Sequence, residues 1–297
     1  MKKIIAYFFV KINLAIALTL LFTVGSARGQ DFPEGLVGLS SRDEAAVLYS
    51  IDASTGQATP IVTLNGRASL TGLSFLQGTL YGTDLFNFPG NSGGLDIGSI
   101  STGGIITFLS DQNGSFDWQG LASDEAGGVL YTIDLSNSDI LTVQSPDGSV
   151  ETIGSGTGIS AQGMAYDDAN GILYAISFNG SLYTISIATG TSNLIGPTGI
   201  PEISPELGLA YDECNQILYV NDGGLRQLYT LDVNSGAATL VGSNGVVDII
   251  DGLAWKGICE ITSPSQIPTL SEWGLIALAG ILGIVGFIFM RRKKVTV

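Results

Sequence analysis

Residues 208–242 read GLAYDECNQILYVNDGGLRQLYTLDVNSGAATLVG and contain every part of a unit that recurs along the chain. Within this stretch, four apolar pieces begin at Gly208, Leu218, Leu228 and Ala238. Most are rich in β-branched or aromatic residues, and Asp, Asn, Gly and Ser separate them. Short runs of this composition, bounded by turn residues, are typical of β-strands joined by hairpins. The stretch therefore predicts four antiparallel strands in succession.

The first of these pieces marks the period of the repeat. A glycine followed by Leu or Met and then a small residue recurs at five places, and the steps between the glycines are 48, 43, 45 and 44 residues. Four short antiparallel strands per repeat of about 44 residues form the blade of a β-propeller, in which a small residue suits the crowded position beside the axis. The five glycines are Gly72, Gly120, Gly163, Gly208 and Gly252.

The two ends of the array indicate how the ring closes. The chain enters with three strand-like pieces, at 36–40, 48–52 and 58–62, and leaves with an isolated first piece at 252–257. An open sheet edge at either end would be a template for aggregation. The last piece therefore supplies the missing first strand, which predicts an all-β fold, a five-bladed β-propeller over residues 30–260. An open or stacked β array is the alternative.

Residues 31–260 also resemble secreted bacterial propellers that carry repeated LYxID, TG and TLVG pieces. This resemblance supports the same architecture. It implies no catalytic residue, because the likeness is broad and rests on strand and turn positions alone.

The first 29 residues have the composition of a secretory signal peptide. Met1-Lys2-Lys3 is positive, residues 14–24 form an apolar run of 11 residues, and small residues follow at 25, 27 and 29. These small residues permit cleavage before residue 28 or residue 30. The apolar run is shorter than the roughly 20 residues that span a bilayer, which disfavours the alternative of an uncleaved anchor.

A second apolar run lies near the C-terminus, at residues 274–290. Positive residues stay on the cytoplasmic side of a membrane. The pattern therefore predicts a transmembrane helix at 271–290, a cytoplasmic tail at 291–297 and a domain outside. At 1.5 Å per residue the run covers about 25 Å, near the lower limit for a span. The basic residues that follow it are Arg291, Arg292, Lys293 and Lys294.

The residues just before this run are more specific. Linker residues 261–270 end in Ile267-Pro268-Thr269-Leu270, and Glu272-Trp273-Gly274 follow. Together with the apolar run and the basic cluster, they resemble the IPTL-type C-terminal sorting signals, relatives of the PEP-CTERM tails that exosortases read in Gram-negative bacteria. The resemblance implies that an exosortase-like enzyme recognises this motif, removes the tail and passes the domain to the outer surface or extracellular matrix. A plain single-span anchor is the alternative.

Between its two ends the chain is strongly acidic. Residues 30–263 hold four basic and 26 acidic side chains, a net charge of −22. Such a surface repels phosphate backbones, so nucleic acid is not an expected partner. The chain also has no histidine. This excludes Ser-His-Asp and zinc hydrolase chemistry and removes the commonest general base.

The two cysteines fall at equivalent places in the repeat. Cys214 follows the first strand of one blade, and Cys259 follows the first strand of the closing blade. Both are expected on the same face of the ring, and an even number of cysteines in an oxidising compartment favours a disulfide. A bond across these 45 residues would stabilise closure by roughly 3–4 kcal/mol. Two free thiols are the alternative.

The positions just before the repeated glycines are candidates for a ligand ring, because propeller ligands usually bind on the axis where the first strands begin. Aromatic, amide and carboxylate groups at these positions suit sugar hydroxyls. The alternative is that they are loop residues with satisfied hydrogen bonds. The candidates are Trp118, Gln119, Gln162, Glu206 and Asp251.

Acidic pairs occupy the turns after three of the first strands, at Asp124-Glu125, Asp167-Asp168 and Asp212-Glu213. Their oxygens could hold Ca²⁺. However, Asp and Asn are also what a hairpin turn requires, and the chain has no Asp-x-Asp-x-Asp-Gly loop. We therefore predict no metal site and no cofactor, with Ca²⁺ as the alternative.

Three functions are compatible with these features. The first hypothesis is a non-catalytic surface protein whose propeller binds or displays polysaccharide or surface matrix. The second is a carbohydrate-active enzyme that uses Glu206 and Asp251, which would have to lie roughly 5–10 Å apart across a cleft. The third is a structural surface component bridged by cations. The fold alone does not decide among them.

Overall fold

The computed structural model describes residues 31–40, 46–64, 70–84, 97–109, 118–137 and 139–257. The predicted signal peptide, linker, transmembrane helix and basic tail all lie outside these ranges. Within them the chain forms β-strands and one short 3-10 helix, Leu135–Asn137. No helix of this described part is long and apolar enough to cross a membrane.

The strands form five antiparallel four-stranded sheets, the blades of a five-bladed β-propeller. We letter them A to E in ring order and give their strands from the axis outward. Blade A contains β20 (Ile250–Lys256), β1 (Gly35–Ser40), β2 (Val47–Ile51) and β3 (Ala58–Thr63). Blade B contains β4 (Leu70–Leu76), β5 (Thr79–Asp84), β6 (Ile97–Ile100) and β7 (Ile106–Phe108). Blade C contains β8 (Trp118–Asp124), β9 (Val129–Asp134), β10 (Ile140–Gln144) and β11 (Val150–Ile153). Blade D contains β12 (Ala161–Asp167), β13 (Ile172–Ser177), β14 (Ser181–Ile185) and β15 (Ser192–Pro197). Blade E contains β16 (Leu207–Asp212), β17 (Ile217–Asp222), β18 (Gln227–Leu231) and β19 (Ala238–Ser243).

The ring closes as the sequence predicts. Strand β20 pairs with β1, and the register places Leu36 opposite Trp255 and Leu39 opposite Gly252. Each innermost strand contacts the innermost strands of both neighbouring blades. Innermost strands of non-neighbouring blades also approach one another, β4 with β12 and with β16. The axis of the ring is therefore narrow.

The repeated glycine of the first piece permits this close approach. A Cβ atom on Gly208 would lie 2.7 Å from the backbone nitrogen of Leu253 in the next innermost strand. A Cβ atom on Gly163 would lie 2.9 Å from the carbonyl oxygen of Leu207. Such distances are shorter than real Cβ contacts, so these positions accept only glycine without a shift of the backbone. The predicted need for small residues beside the axis is confirmed.

Between the blades, the repeated aromatic residues pack in pairs. The tyrosine of the second strand in one blade meets an aromatic residue of the innermost strand in the next blade. Burial of such rings supplies much of the apolar area between blades, and their geometry adds to it. The pairs and their ring-centroid distances are Tyr131–Tyr166, 5.7 Å, Tyr174–Tyr211, 5.9 Å, and Tyr219–Trp255, 6.1 Å.

The glycines of the TG and TLVG pieces also meet across blade boundaries. Gly236, in the turn before β19, has a positive φ of 79°, and its Cβ atom would lie 2.5 Å from the carbonyl oxygen of Gly196 in blade D. Gly56 takes the same position against Gly242 of blade E. The repeated turn and the repeated outer strand are thus matched surfaces of neighbouring blades.

The junction between blades B and C does not follow the pattern of paired aromatic residues described above. Ser123 stands where blades D, E and A have an aromatic residue, and the Ser74 hydroxyl donates to its Oγ over 2.9 Å. Gln144 is fully buried, and neither of its amide atoms has a hydrogen-bond partner among the described residues. The residues that occupy the equivalent strand position in the other blades are Ile51, Ile100, Ile185 and Leu231.

The first described residues are tied to the closing strand. The Lys256 ammonium, at the end of β20, lies 2.9 Å from the Asp31 carboxylate and donates to the Phe32 carbonyl over 2.7 Å. The Phe32 ring is buried and packs edge-on against Phe75 of blade B. These contacts fix the N-terminal end of the domain to blades A and B.

We expect Gly208→Ala to lower the free energy of unfolding by about 1–3 kcal/mol, because the added methyl group overpacks the contact between β16 and β20. Chemical denaturation monitored by tryptophan fluorescence measures this. The matched control is Gly103→Ala, where the nearest atom to an added Cβ, the Ser101 Oγ, lies 3.8 Å away. Equal effects of the two substitutions would contradict the role assigned to the axial contact.

Candidate functional site

The candidate ligand positions coincide with irregularities in the innermost strands. Thr71, Gln162 and Asp251 are each skipped in the pairing of their strand, and the register also shifts between Gln119 and Ala122. Blade E pairs regularly through this region. A β-bulge bends a strand and re-aims a side chain. Four blades thus carry a bulge at the same end of the axis.

The side chains at these bulges are buried. Gln119, Gln162 and Asp251, which we call the axial polar cluster, are 8%, 7% and 5% exposed. The Gln162 Nε2 donates to the Gln119 Oε1 over 2.8 Å, so one amide satisfies the other. Trp118 begins β8, and its side chain is not among those that the structure describes. The three residues lie at the same end of their innermost strands, and the hydrogen bond between the two glutamines joins blades C and D.

Glu206 lies beside this end, in the loop that leads into β16, and is half-buried. Its carbonyl accepts the amide hydrogen of Gly223 over 2.8 Å. The same loop is held by Asp222, a fully buried carboxylate that sequence analysis did not single out. Asp222 accepts hydrogen bonds from the Ser204 hydroxyl, 2.5 Å, and from the Leu225 amide, 2.9 Å. The Asp-Gly-Gly sequence at 222–224 predicts a turn, but it does not predict that Asp222 holds the neighbouring loop.

The acidic turns lie at the opposite end of the innermost strands and connect neighbouring blades. The amide of Gln77 donates to both carboxylate oxygens of Glu125, each over 2.9 Å. The amide of Glu125 donates to Asp168 over 2.8 Å, and the amide of Asp168 donates to Glu213 over 2.6 Å. We call Glu125, Asp168 and Glu213 the carboxylate relay. It links blades B, C, D and E in order.

The first acid of each pair serves its own turn. The Asp167 Oδ1 accepts the Asn170 amide over 2.9 Å, and the Asp212 Oδ1 accepts the Cys214 amide over 2.9 Å. These carboxylates therefore already accept hydrogen bonds from backbone amides of their own turns. Among the described residues, no group of three or more His, Cys, Asp or Glu side chains is arranged to hold a metal ion.

Burial raises the pKa values of several carboxyl and phenol groups on this acidic face. Burial raises the pKa of both Asp168 and Glu213, and repulsion from nearby carboxylates adds to the rise against the effect of the backbone hydrogen bonds. Burial, followed by the charge of Asp124, raises the pKa of Tyr166 to about 12. Burial and the charge of Asp167 likewise raise the pKa of Tyr211. The two phenols therefore stay protonated and can donate to these carboxylates.

Cys214 lies in the turn between β16 and β17, on the same face as the relay. Cys259 lies outside the described residues. The Cys214–Cys259 disulfide therefore stays a prediction.

Comparison with known families identifies the tail. The model of the IPTL-CTERM motif matches residues 266–292, which lie outside the described ranges and include the whole predicted sorting motif and the first two basic residues. The chain is thus a five-bladed propeller followed by an IPTL-CTERM sorting motif. No curated protein matches the chain.

Solved structures with a similar fold have low sequence identity to this chain. A chain in the crystal structure of a nidogen/laminin complex is 18% identical, with a TM-score of 0.52, and the match covers 75% of this chain and 83% of that one. A protein of unknown function from Bacteroides thetaiotaomicron VPI-5482 is 14% identical, with a TM-score of 0.49 and coverage of 75% and 65%. Glutaminyl cyclase from Myxococcus xanthus is 18% identical, with a TM-score of 0.43 and coverage of 64% and 71%. The first likeness supports the fold alone, and the other two are too distant to support an argument.

The raised pKa values predict that mild acid stabilises the domain. A carboxyl group whose pKa is higher in the folded than in the unfolded state binds its proton more tightly when folded, so stability increases as the pH falls through that folded pKa. We expect the thermal unfolding midpoint to rise from neutral pH to about 4.5, the ordinary pKa of a glutamic acid. Hydrogen bonds hold the pKa values of Asp52, Asp147 and Asp232 below the ordinary 3.8, so stability should fall again below that pH.

The double substitution Asp168→Asn and Glu213→Gln should flatten the rise, because neutral amides keep the hydrogen-bond acceptors without the buried charge. Asp147→Asn, in an exposed turn, is the matched control and should leave the rise in place. A midpoint that falls steadily from neutral pH to 4.5 in the unmodified protein would contradict this assignment.

Proposed function

We propose that this chain is exported and sorted to the cell surface, where its propeller acts as a non-catalytic module that binds or displays polysaccharide or another matrix component. The observation that carries the proposal is the IPTL-CTERM motif, which begins ten residues after Lys256, the last residue of the closing strand. A closed ring is thus followed almost at once by a sorting tail. This arrangement suits a domain whose purpose is to be presented outside the cell.

The closed ring supports a binding module more than an enzyme. Catalytic carboxylates of a glycosidase must reach the substrate from two sides of the scissile bond. Asp251, one of the two carboxylates available for such a role, is only 5% exposed. The loop that leads into β16, in contrast, is held by the buried carboxylate of Asp222, which favours a preformed contact surface there.

The charge of the domain narrows the class of ligand. Among the described residues the basic side chains are Arg226 and Lys256, and Lys256 is paired with Asp31. A surface so rich in carboxylates repels polyanions and raises the local concentration of cations. We therefore propose a neutral or cationic polysaccharide as the ligand class, with acidic polymers and nucleic acid disfavoured.

The exposed aromatic residue Phe178 marks the face on which such a ligand would lie. Phe178 follows β13, whose last residue, Ser177, pairs with Ala161 at the start of β12. It therefore lies on the face of the axial polar cluster, and it is 43% exposed. A solvent-exposed ring offers a flat apolar surface to a sugar.

The predicted signal peptide and the sorting motif together predict processing at both ends of the chain. We expect the native protein at the cell surface to lack residues 1–29 and the tail beyond residue 270, as measured by intact mass after cell fractionation. Replacement of Ile267-Pro268-Thr269-Leu270 by alanines should leave an unprocessed form in the inner membrane. The matched control replaces residues 262–265, which lie before the matched motif, and should be processed normally.

Retention of residues 290–297 by the native protein in the inner membrane would remove the support for surface sorting. The same mass measurement, repeated after reduction, tests the disulfide, because reduction of a Cys214–Cys259 bond adds the mass of two hydrogen atoms.

We expect the processed protein to be retained on an immobilised neutral polysaccharide and not on an acidic one. Loss of an aromatic stacking contact worth about 0.5–1.5 kcal/mol corresponds to a roughly two- to tenfold loss of affinity, so Phe178→Ala should weaken retention by that factor. Leu194→Ala is the matched control, because Leu194 is 62% exposed but lies on the outer strand β15. Absence of retention on every neutral and every cationic polysaccharide, or equal losses in both variants, would contradict the proposed binding face.

A further inference from the structure

Blade A lacks one of the aromatic residues that the other blades repeat. On the second strand of each blade, one position pairs with the residue two places after the repeated glycine. Blades B to E carry a tyrosine at this position, whereas blade A carries Val37, opposite Ala254. The repeat therefore contributes a valine instead of a tyrosine to the junction of blades A and B. The four tyrosines and the residues opposite them are Tyr81 and Ser74, Tyr131 and Ala122, Tyr174 and Ala165, and Tyr219 and Ala210.

The N-terminal segment supplies an aromatic ring to this junction. Phe32 is 6% exposed and packs edge-on against Phe75 of blade B, with the ring centroids 5.7 Å apart. Phe75 lies three places after the repeated glycine, as do the innermost-strand members of the three aromatic pairs between other blades. Phe32 and Val37 also belong to the same hydrophobic cluster. The Phe32 ring thus fills the place of the missing tyrosine.

Blade A differs from the repeat at a second position, and the same segment complements it. Four places after the repeated glycine, blades C, D and E carry aspartate, whereas blade A carries Lys256. The Lys256 side chain is only 15% exposed, and its ammonium group lies 2.9 Å from the Asp31 carboxylate. The same ammonium group donates to the Phe32 carbonyl over 2.7 Å. A largely buried charge needs such partners, because its removal from water is costly unless it is paired and hydrogen-bonded.

These two differences from the repeat lie near opposite ends of the domain. Val37 lies on β1 and replaces a large ring by a small side chain, whereas Lys256 ends β20 and reverses a charge. Residues 31 and 32 complement both, with a carboxylate for the lysine and a ring for the missing tyrosine. Only Pro33 and Glu34 separate Phe32 from β1, so its ring must lie close to the start of that strand.

We propose that Asp31 and Phe32 form an N-terminal latch, in which Phe32 replaces the tyrosine that blade A lacks and Lys256 holds it on the completed ring. Because Lys256 ends the last strand, the latch is held only after β20 has been added. The predicted cleavage before residue 28 or residue 30 leaves both latch residues at the start of the exported chain. Proteolysis concentrates at termini that are not tied down, so the latch also protects the new N-terminus.

The first test determines whether Phe32 and a tyrosine at position 37 occupy the same space. Variants are made in the full-length chain and purified in the form that the cell accumulates, so the result does not depend on sorting. Phe32→Ala should lower the thermal unfolding midpoint by roughly 5–15 °C, because it removes a buried ring. Val37→Tyr alone should also lower the midpoint, because the added ring overpacks the junction. The double variant should regain at least half of the loss that Phe32→Ala causes, because the new ring then fills the space that Phe32 leaves.

The matched control combines Val37→Tyr with Tyr174→Ala, which removes a ring from the junction of blades D and E. These two sites lie in different junctions, so their losses should simply add. If Phe32→Ala does not fold, Phe32→Leu gives a milder loss and allows the same comparison. Additive losses in the pair of substitutions at positions 32 and 37 would overturn the assignment of Phe32 to the place of the tyrosine.

The second test addresses the role of Lys256. Lys256→Met keeps an apolar stem but removes the ammonium group, so an aminopeptidase should remove the residues up to and including Asp31 faster, as followed by intact mass. Loss of a charged hydrogen bond corresponds to a rate increase of roughly tenfold or more. Arg226→Met is the matched control, because the Arg226 Nε donates to the Val247 carbonyl over 2.9 Å in a different loop. Equal trimming rates in the unmodified protein and in Lys256→Met would overturn the proposed latch.

Discussion

The fold depends on the close approach of five innermost strands around one narrow axis. Glycines such as Gly163 and Gly208 leave no room for a methyl group between neighbouring strands. The smaller the number of blades, the nearer the strands must come, and a side chain at these positions would force the ring apart. Every other contact between blades, from the paired tyrosines to the matched turn glycines, forms at the distance that this axial contact sets.

The same constraint explains why polar groups at the axis are buried. Bulges aim Gln162 and Asp251 toward an axis too narrow for a wide channel. The Gln162 side-chain nitrogen donates to the Gln119 side-chain oxygen there. A ligand that binds this protein is therefore expected to meet the loops around the axis, such as the one that carries Phe178, rather than to enter the ring.

Much of the fold could be predicted from the sequence, because its signals are local. The period of the repeated glycines predicts five blades, and the isolated last piece predicts that β20 completes blade A.

The bonds between blades could not be predicted in this way. Glu125 and Asp168 are 43 residues apart, and their sequence neighbours mark only two separate hairpin turns. Asn221, whose side chain donates to the Ile250 carbonyl of the closing strand, stands where blades C and D carry isoleucine. A departure from a repeat does not identify the atoms that it brings together. The axial positions can be predicted from their place before each repeated glycine. Their burial follows from the β-bulges, which the amino-acid composition does not predict.

The pairing of β20 with β1 has a consequence for the order of events during synthesis. Blade A holds both the earliest strands of the domain and the latest one, so β1, β2 and β3 are made long before the strand that covers their inner edge. Blades B to E can each assemble from consecutive residues. Blade A waits until residue 256 has emerged, and Phe32 and Lys256 meet only then. The domain therefore reaches its closed form late, after nearly all of its strands have been synthesised.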